Sequence, residues 1–134
     1  MSTQIFVNLP VADLPKSIAF YKALGYDHNP EFSDNTGACV VISDTIFVML
    51  TTHARFTSFT PKSICDTSTS TEVLLNLSCE NREQVDDLVK KALAAGGSTN
   101  DQAEDLGFMY SHSFSDLDGH QWGLFHISSM PPRE

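Results

Sequence analysis

Residues 4–25, QIFVNLPVADLPKSIAFYKALG, and residues 72–97, EVLLNLSCENREQVDDLVKKALAAGG, follow one plan: alternating strand, polar cap, amphipathic helix, glycine stop. Gln4 to Leu9 and Glu72 to Ser78 both alternate with a period of two, the signature of a half-buried strand. Asp13 is a good N-cap, Pro15 falls in the first turn, and Leu14, Ile18 and Tyr21 recur at helical spacing before Gly25. In the second stretch Asn81 with Gln84 forms a capping-box pattern, and Val85, Leu88, Val89 and Ala92 make an apolar stripe closed by Gly96 and Gly97. Glu83, Asp86 and Asp87 near that helix's start and Lys90 and Lys91 near its end suit the helix dipole.

Shorter runs follow each helix. In the first half they are Tyr26 to Phe32, a turn at 34–37, Ala38 to Ser43 and Thr45 to Thr51. In the second they are a weak strand at 98–101, Phe108 to Phe114, a turn at 116–119 and Gln121 to Ile127. The expected class is α+β: two βαβββ modules forming a curved mixed sheet, helices on the convex face. Module one covers about 4–51, a connecting segment 52–71, module two about 72–127 and a tail 128–134, all in one domain. The connecting segment is rich in Ser and Thr, but Phe56, Phe59 and Ile64 argue that it packs rather than floats; 102–107 reads as a second loop.

Strand phase decides what the interior can do. Ile5, Val7 and Leu9, then Ile46, Val48 and Leu50, then Val73, Leu75 and Leu77 form aliphatic rows that belong under the helices. Opposite them stand Gln4, Phe6 and Asn8; Thr45, Phe47, Met49 and Thr51; and Leu74, Asn76 and Ser78, a mixed wall suited to a ligand cavity. Phe125 adds to its apolar character, with Trp122 packed behind.

Two words carry a family resemblance. Asn8-Leu9-Pro10-Val11-Ala12-Asp13-Leu14-Pro15-Lys16-Ser17 with Phe20-Tyr21-Lys22-Ala23-Leu24-Gly25 is the first, and Asp116-Leu117-Asp118-Gly119-His120-Gln121-Trp122 the second, with Leu117 where a proline is usual. Together with the strand and helix order they resemble the vicinal oxygen chelate superfamily of glyoxalase I, bleomycin resistance proteins and extradiol dioxygenases, across about Gln4 to Ile127. The resemblance is specific for fold and much less so for activity. It implies a homodimer, in which half-open sheets complete one another.

In the superfamily's metalloenzymes four ligands, mostly His and Glu, project from the mixed wall. The matching positions here are Phe6, Met49, Leu74 and Gly123. None offers a side chain fit for a divalent cation, which disfavours glyoxalase-type and dioxygenase-type chemistry. Gly123, where the family commonly has Glu, is expected to leave space at the cavity floor.

The five histidines, His28, His53, His112, His120 and His126, show no His-x-His or His-Glu-x-x-His spacing. His112, sharing a strand face with Tyr110, is the one placed to bind a ligand or relay a proton. Cys39, Cys65 and Cys79 form no Cys-x-x-Cys pair; Cys39 and Cys79 read as buried thiols and Cys65 as more exposed. Asp116-x-Asp118-Gly119 is a hairpin turn rather than a calcium loop.

With 17 acidic against 8 basic residues the net charge of −9 repels phosphate backbones and anionic membranes, so neither nucleic acid nor membrane is an expected partner. No apolar run approaches the ~20 residues of a membrane span. The N-terminus lacks a signal-peptide pattern, and a cytoplasmic location is expected.

The leading expectation is a metal-independent, cofactor-free protein that holds a small organic molecule, cationic or aromatic, in an apolar cavity. Its ligand-binding residues are Phe6, Asn8, Phe47, Met49, Leu74, Asn76, Tyr110, His112, Gly123 and Phe125. One alternative is a lactoylglutathione-lyase-like or dioxygenase-like enzyme with an unusual or absent metal site. Another is a dimer whose filled groove serves a protein partner.

Overall fold

The structure, a computed structural model, describes residues 3–99 and 101–128. The chain divides into two compact units, one ending at Asp66 and the other starting at Thr67. That boundary falls inside the connecting segment, and most of the expected tail, 129–134, lies outside the described residues.

In the first unit β1 (Ile5–Val11), α1 (Leu14–Ala23), β2 (His28–Asn29), β3 (Gly37–Val41) and β4 (Ile46–Thr52) are followed by a short helix α2 (His53–Thr57). The four strands form one sheet in the order β1-β4-β3-β2. β1 and β4 run parallel with Ile5 opposite Ile46, Val7 opposite Val48 and Leu9 opposite Leu50, so their aliphatic rows coincide. α1 packs over this face on β3 and β4. Leu14, Phe20 and Tyr21 of the helix and Val48 and Leu50 of β4 are all buried. Ile18, expected in the stripe, is only half-buried, and Ser17 is buried instead.

The helix ends are chemically specified. Asp13 Oδ1 accepts from Lys16 N at 3.1 Å. At the other end Gly25 N donates to Lys22 O and Tyr26 N to Tyr21 O. This wrap needs a left-handed residue, and Gly25 has φ 107°.

The second unit repeats the plan with β5 (Leu74–Ser78), α3 (Arg82–Ala94), β6 (Glu104–Asp105), β7 (Met109–Ser115) and β8 (Gln121–Ile127). Its sheet order is β5-β8-β7-β6. β5 and β8 are parallel and β8 and β7 antiparallel. Val85, Leu88, Val89 and Ala92 of α3 are buried with Phe114, Trp122 and Leu124. Asn81 Oδ1 accepts from Gln84 N at 2.8 Å while Gln84 Oε1 accepts from Glu80 N at 2.7 Å, one residue earlier than a standard capping box closes.

Four expectations are corrected. The run Tyr26 to Phe32 keeps only His28–Asn29 as strand and then turns through a 3-10 helix at Pro30–Phe32. Pro30 has no N–H for a ladder, and Asn29 Oδ1 caps Glu31 N at 3.0 Å. The weak strand at 98–101 reduces to a single bridge, Ser98 with Ser115. There Thr99 Oγ1 donates to Ser113 O at 2.8 Å, a side chain replacing the backbone ladder; strand β6 falls instead in the supposed loop 102–107.

The connecting segment opens with α2, whose N-cap is Thr52. The outer ends of two aliphatic rows placed under the helices by parity are exposed instead: Val73 precedes β5 and is 42% exposed, and Ile5, the first residue of β1, is 54% exposed.

Leu50 is fully buried at the centre of the α1-covered face. Leu50→Ala is therefore expected to cost about 2–5 kcal/mol in urea unfolding, whereas the same truncation at the exposed Phe6 is expected to cost far less.

Candidate functional site

The face opposite the helix in each sheet carries the chemistry. In the first unit register sets Phe6 beside Phe47 and Asn8 beside Met49. The two phenyl rings stack with centroids 4.7 Å apart and planes at 11°. Asn8 and Met49 line a small cavity of about 140 Å³ completed by Phe32, Asp34, Thr36, Arg55 and Phe59. The Arg55 guanidinium lies over the Phe59 ring at 4.8 Å. Asp34 accepts from Thr36 Oγ1, Thr36 N and Gly37 N, and the Thr36 bonds above all hold its carboxyl below the usual range.

The larger cavity, about 290 Å³, belongs to the second unit. Parallel pairing puts Asn76 beside Gly123 and Leu74 beside Gln121. Antiparallel pairing then places Ser113 opposite Gly123 and Ser115 opposite Gln121. Leu74, Asn76, Gly123, Gln121, Ser113 and Ser115 thus share one wall, and Asp101 reaches in from the loop before β6. Asp101 is the only charged residue lining this cavity among the described residues. Partial burial pushes its carboxyl up, but hydrogen bonds from Ser113 and Thr99, aided by His112, hold it below the ordinary value.

The space expected at Gly123 is taken. A Cβ built there would lie 2.1 Å from Asn76 Oδ1, so the neighbouring amide lies across the glycine and forms the cavity floor.

Tyr110 and His112 are not on this wall. Tyr110 pairs with His126 and His112 with Leu124, and directly opposed residues of an antiparallel pair point the same way. Both therefore lie on the α3 side with buried Phe114, Trp122 and Leu124, which corrects their placement as cavity residues. Tyr110 Oη donates to Asp86 Oδ1 on α3, and this bond, with burial, raises its phenol above the ordinary value. The Arg82 guanidinium lies 5.1 Å from the Tyr110 ring centre and is clasped by Asp105 at 2.6 and 3.0 Å. Phe125 does share the cavity face, opposite Ser111.

Several other titratable groups are held within the fold. His120 is buried, its Nδ1 2.5 Å from Glu72 Oε1, and Asp116 Oδ1 accepts from Asp118 N and His120 N across the turn. His126 Nδ1 lies 3.1 Å from Cys79 O. Cys39 and Cys79 are buried, as expected, and burial pushes both thiols up, away from nucleophilic use.

Sequence reasoning missed Asp101 and the serine row 111, 113, 115. The alternation of those serines along β7 was a usable signal; Asp101 carried none, because no motif marks a loop carboxylate.

The family profile described as "Bleomycin resistance protein-like N-terminal" matches residues 3–43. The hypothetical protein SA1046 from S. aureus is 32% identical, with 95% of each chain covered and a TM-score of 0.79. The chain belongs to the vicinal oxygen chelate superfamily. Protein ATC0852 from Agrobacterium tumefaciens is 25% identical over 96% of this chain and 100% of its own, TM-score 0.73. A glyoxalase/bleomycin resistance protein/dioxygenase family enzyme from Burkholderia phytofirmans PsJN has the same fold, at 18% identity over 94% and 99% of the two chains and a TM-score of 0.77. No curated protein matches the chain.

Superfamily membership raises the question of a metal, and the residues do not fit one. The four positions at which the resemblance places metal ligands hold Phe6, Met49, Leu74 and Gly123, with no side-chain nitrogen or oxygen between them. Among the described residues no three of His, Cys, Asp and Glu converge as a metal site would require. Likewise no helix there is long and apolar enough to cross a membrane.

Two outcomes test this geometry. Gly123→Ala is expected to displace the Asn76 side chain from its place across the strand, and a double-mutant cycle of Gly123→Ala with Asn76→Ala, read by urea unfolding, is expected to show a coupling of about 1 kcal/mol. Asp101, with its folded-state value lowered, adds stability above the ordinary carboxylate value and loses it as pH falls through the lowered one. Asp101→Asn is therefore expected to flatten the acid side of a thermal stability profile below about pH 4.

Proposed function

We propose that this chain holds a small organic molecule, aromatic or cationic, in the cavity walled by β5, β7 and β8, and that it does so without a metal. The observation that carries the reading is the composition of that wall: Leu74 for apolar contact, Asn76, Gln121, Ser113 and Ser115 as hydrogen-bonding groups, and one carboxylate, Asp101. A volume of about 290 Å³ suits a ligand of one or two rings. A wall of amides and hydroxyls orients a bound molecule and supplies neither a Lewis acid nor an activated nucleophile. The match to a bleomycin resistance protein-like family supports binding over turnover as the type of activity.

Calorimetric titration with benzyltrimethylammonium and with N,N-dimethylbenzamide, before and after dialysis against EDTA, tests the proposal. The expected result is saturable binding of at least one of them with an affinity unchanged by chelation. Gly123→Leu, which displaces Asn76 and fills the floor, is expected to weaken it by roughly tenfold or more. Affinity that disappears with EDTA and returns with a divalent metal overturns the metal-free reading.

A further inference from the structure

Asp101 stands at the edge of β7, and its two carboxylate oxygens serve opposite faces of the sheet. Oδ2 accepts from Ser113 Oγ at 2.5 Å, on the cavity side. Oδ1 lies 3.2 Å from His112 Nε2 and accepts from Thr99 Oγ1 at 3.0 Å. Consecutive residues of a strand point to opposite faces, so one group reaches both only from the strand's edge. That edge is open here because the ladder is interrupted between the Ser98–Ser115 bridge and β6.

The same His112 nitrogen lies 3.2 Å from the Asp101 carbonyl oxygen. Surrounded by acceptors, Nε2 carries a proton, and a second proton on the ring makes the imidazolium. Its side chain is 16% exposed and that of Asp101 47%, so the charge would sit 3.2 Å from a carboxylate that keeps water on its outer side. The other ionisable groups on this side are already engaged or more remote. Tyr110 on β7 donates to Asp86 on α3, Arg82 on α3 is clasped by Asp105 on β6, and His126 on β8 contacts a backbone carbonyl. Lys90 stands one turn beyond Asp86 and is exposed. Asp101 is the acid that a proton on His112 meets first.

We propose that Asp101 supplies the counter-charge for a cationic group of the ligand in this cavity, and that protonation of His112 withdraws it, so that cation capture weakens on acidification. The inference rests on the reading of this cavity as a ligand site. When His112 is neutral, the carboxylate's charge is directed to the cavity; when it is the imidazolium, the carboxylate is paired from behind. Asp101 itself stays ionised across the range of roughly pH 5–8 in which imidazoles change charge, because its carboxyl is held below the ordinary value.

The test compares benzyltrimethylammonium with uncharged N,N-dimethylbenzamide by calorimetry at pH 8.0 and about pH 5.5, spanning the imidazole range. The wild type is expected to bind the cation roughly tenfold more weakly at the lower pH and the amide equally at both. His112→Gln is expected to abolish that pH dependence, and Asp101→Asn to weaken the cation at pH 8.0 while sparing the amide. A cation affinity that ignores pH, or that Asp101→Asn leaves intact, overturns the inference while amide binding keeps the cavity reading standing. Failure of the wild type to bind either probe overturns the cavity reading and the inference with it.

Discussion

One constraint organises both units: the burial of a single aliphatic strand face beneath a single helix. β1 and β4 pair in parallel with their branched residues opposite one another, and a slip of one residue in β1 would turn Phe6 and Asn8 to the helix-covered face instead. Val48 and Leu50 are fully buried there, so the register is held by the transfer of those side chains out of water. β7 and β8 are fixed in the same way by Phe114, Trp122 and Leu124 beneath α3. Everything on the opposite wall is what remains once that burial is satisfied.

That remainder is poor in donors for metals and well supplied with amides and hydroxyls. Gly123 is the pivot of the second wall, since its missing side chain lets the Asn76 amide lie across the strand. A carboxylate at that position would point outward from the sheet, whereas the one carboxylate lining this cavity among the described residues, Asp101, arrives from the side. A group held at a sheet edge differs from one held on a face: it can be touched from both sides. The pairing of Asp101 with Ser113 in front and His112 behind is a consequence of the interrupted edge ladder, not of the strand itself.

Much of the fold was legible because its signals are local. The caps at Asp13 and Asn81 and the glycine stops need only neighbouring residues, and β8 falls where its alternation places it, at Gln121–Ile127. β7 was harder. Neither Tyr110-His112-Phe114 nor Met109-Ser111-Ser113 is purely aliphatic, so alternation alone does not say which row is buried. The turn between β7 and β8 decides it by pairing Ser115 with Gln121, which carries Tyr110 and His112 to the helix side. The α2 helix and strand β6 escaped because each is very short and draws its stability from neighbours rather than from propensity.

By itself the sequence determined the two-module plan, the helix ends and the apolar rows, because period and capping act over a few residues along the chain. The absence of metal donors at Phe6, Met49, Leu74 and Gly123 was equally a matter of residue identity. Only the tertiary structure decided that Asn76 fills the space over Gly123, that His112 lies behind the wall rather than on it, and that Asp101 joins the cavity. Each of those depends on where a side chain or loop comes to rest against a strand distant in sequence, and no local pattern encodes that distance.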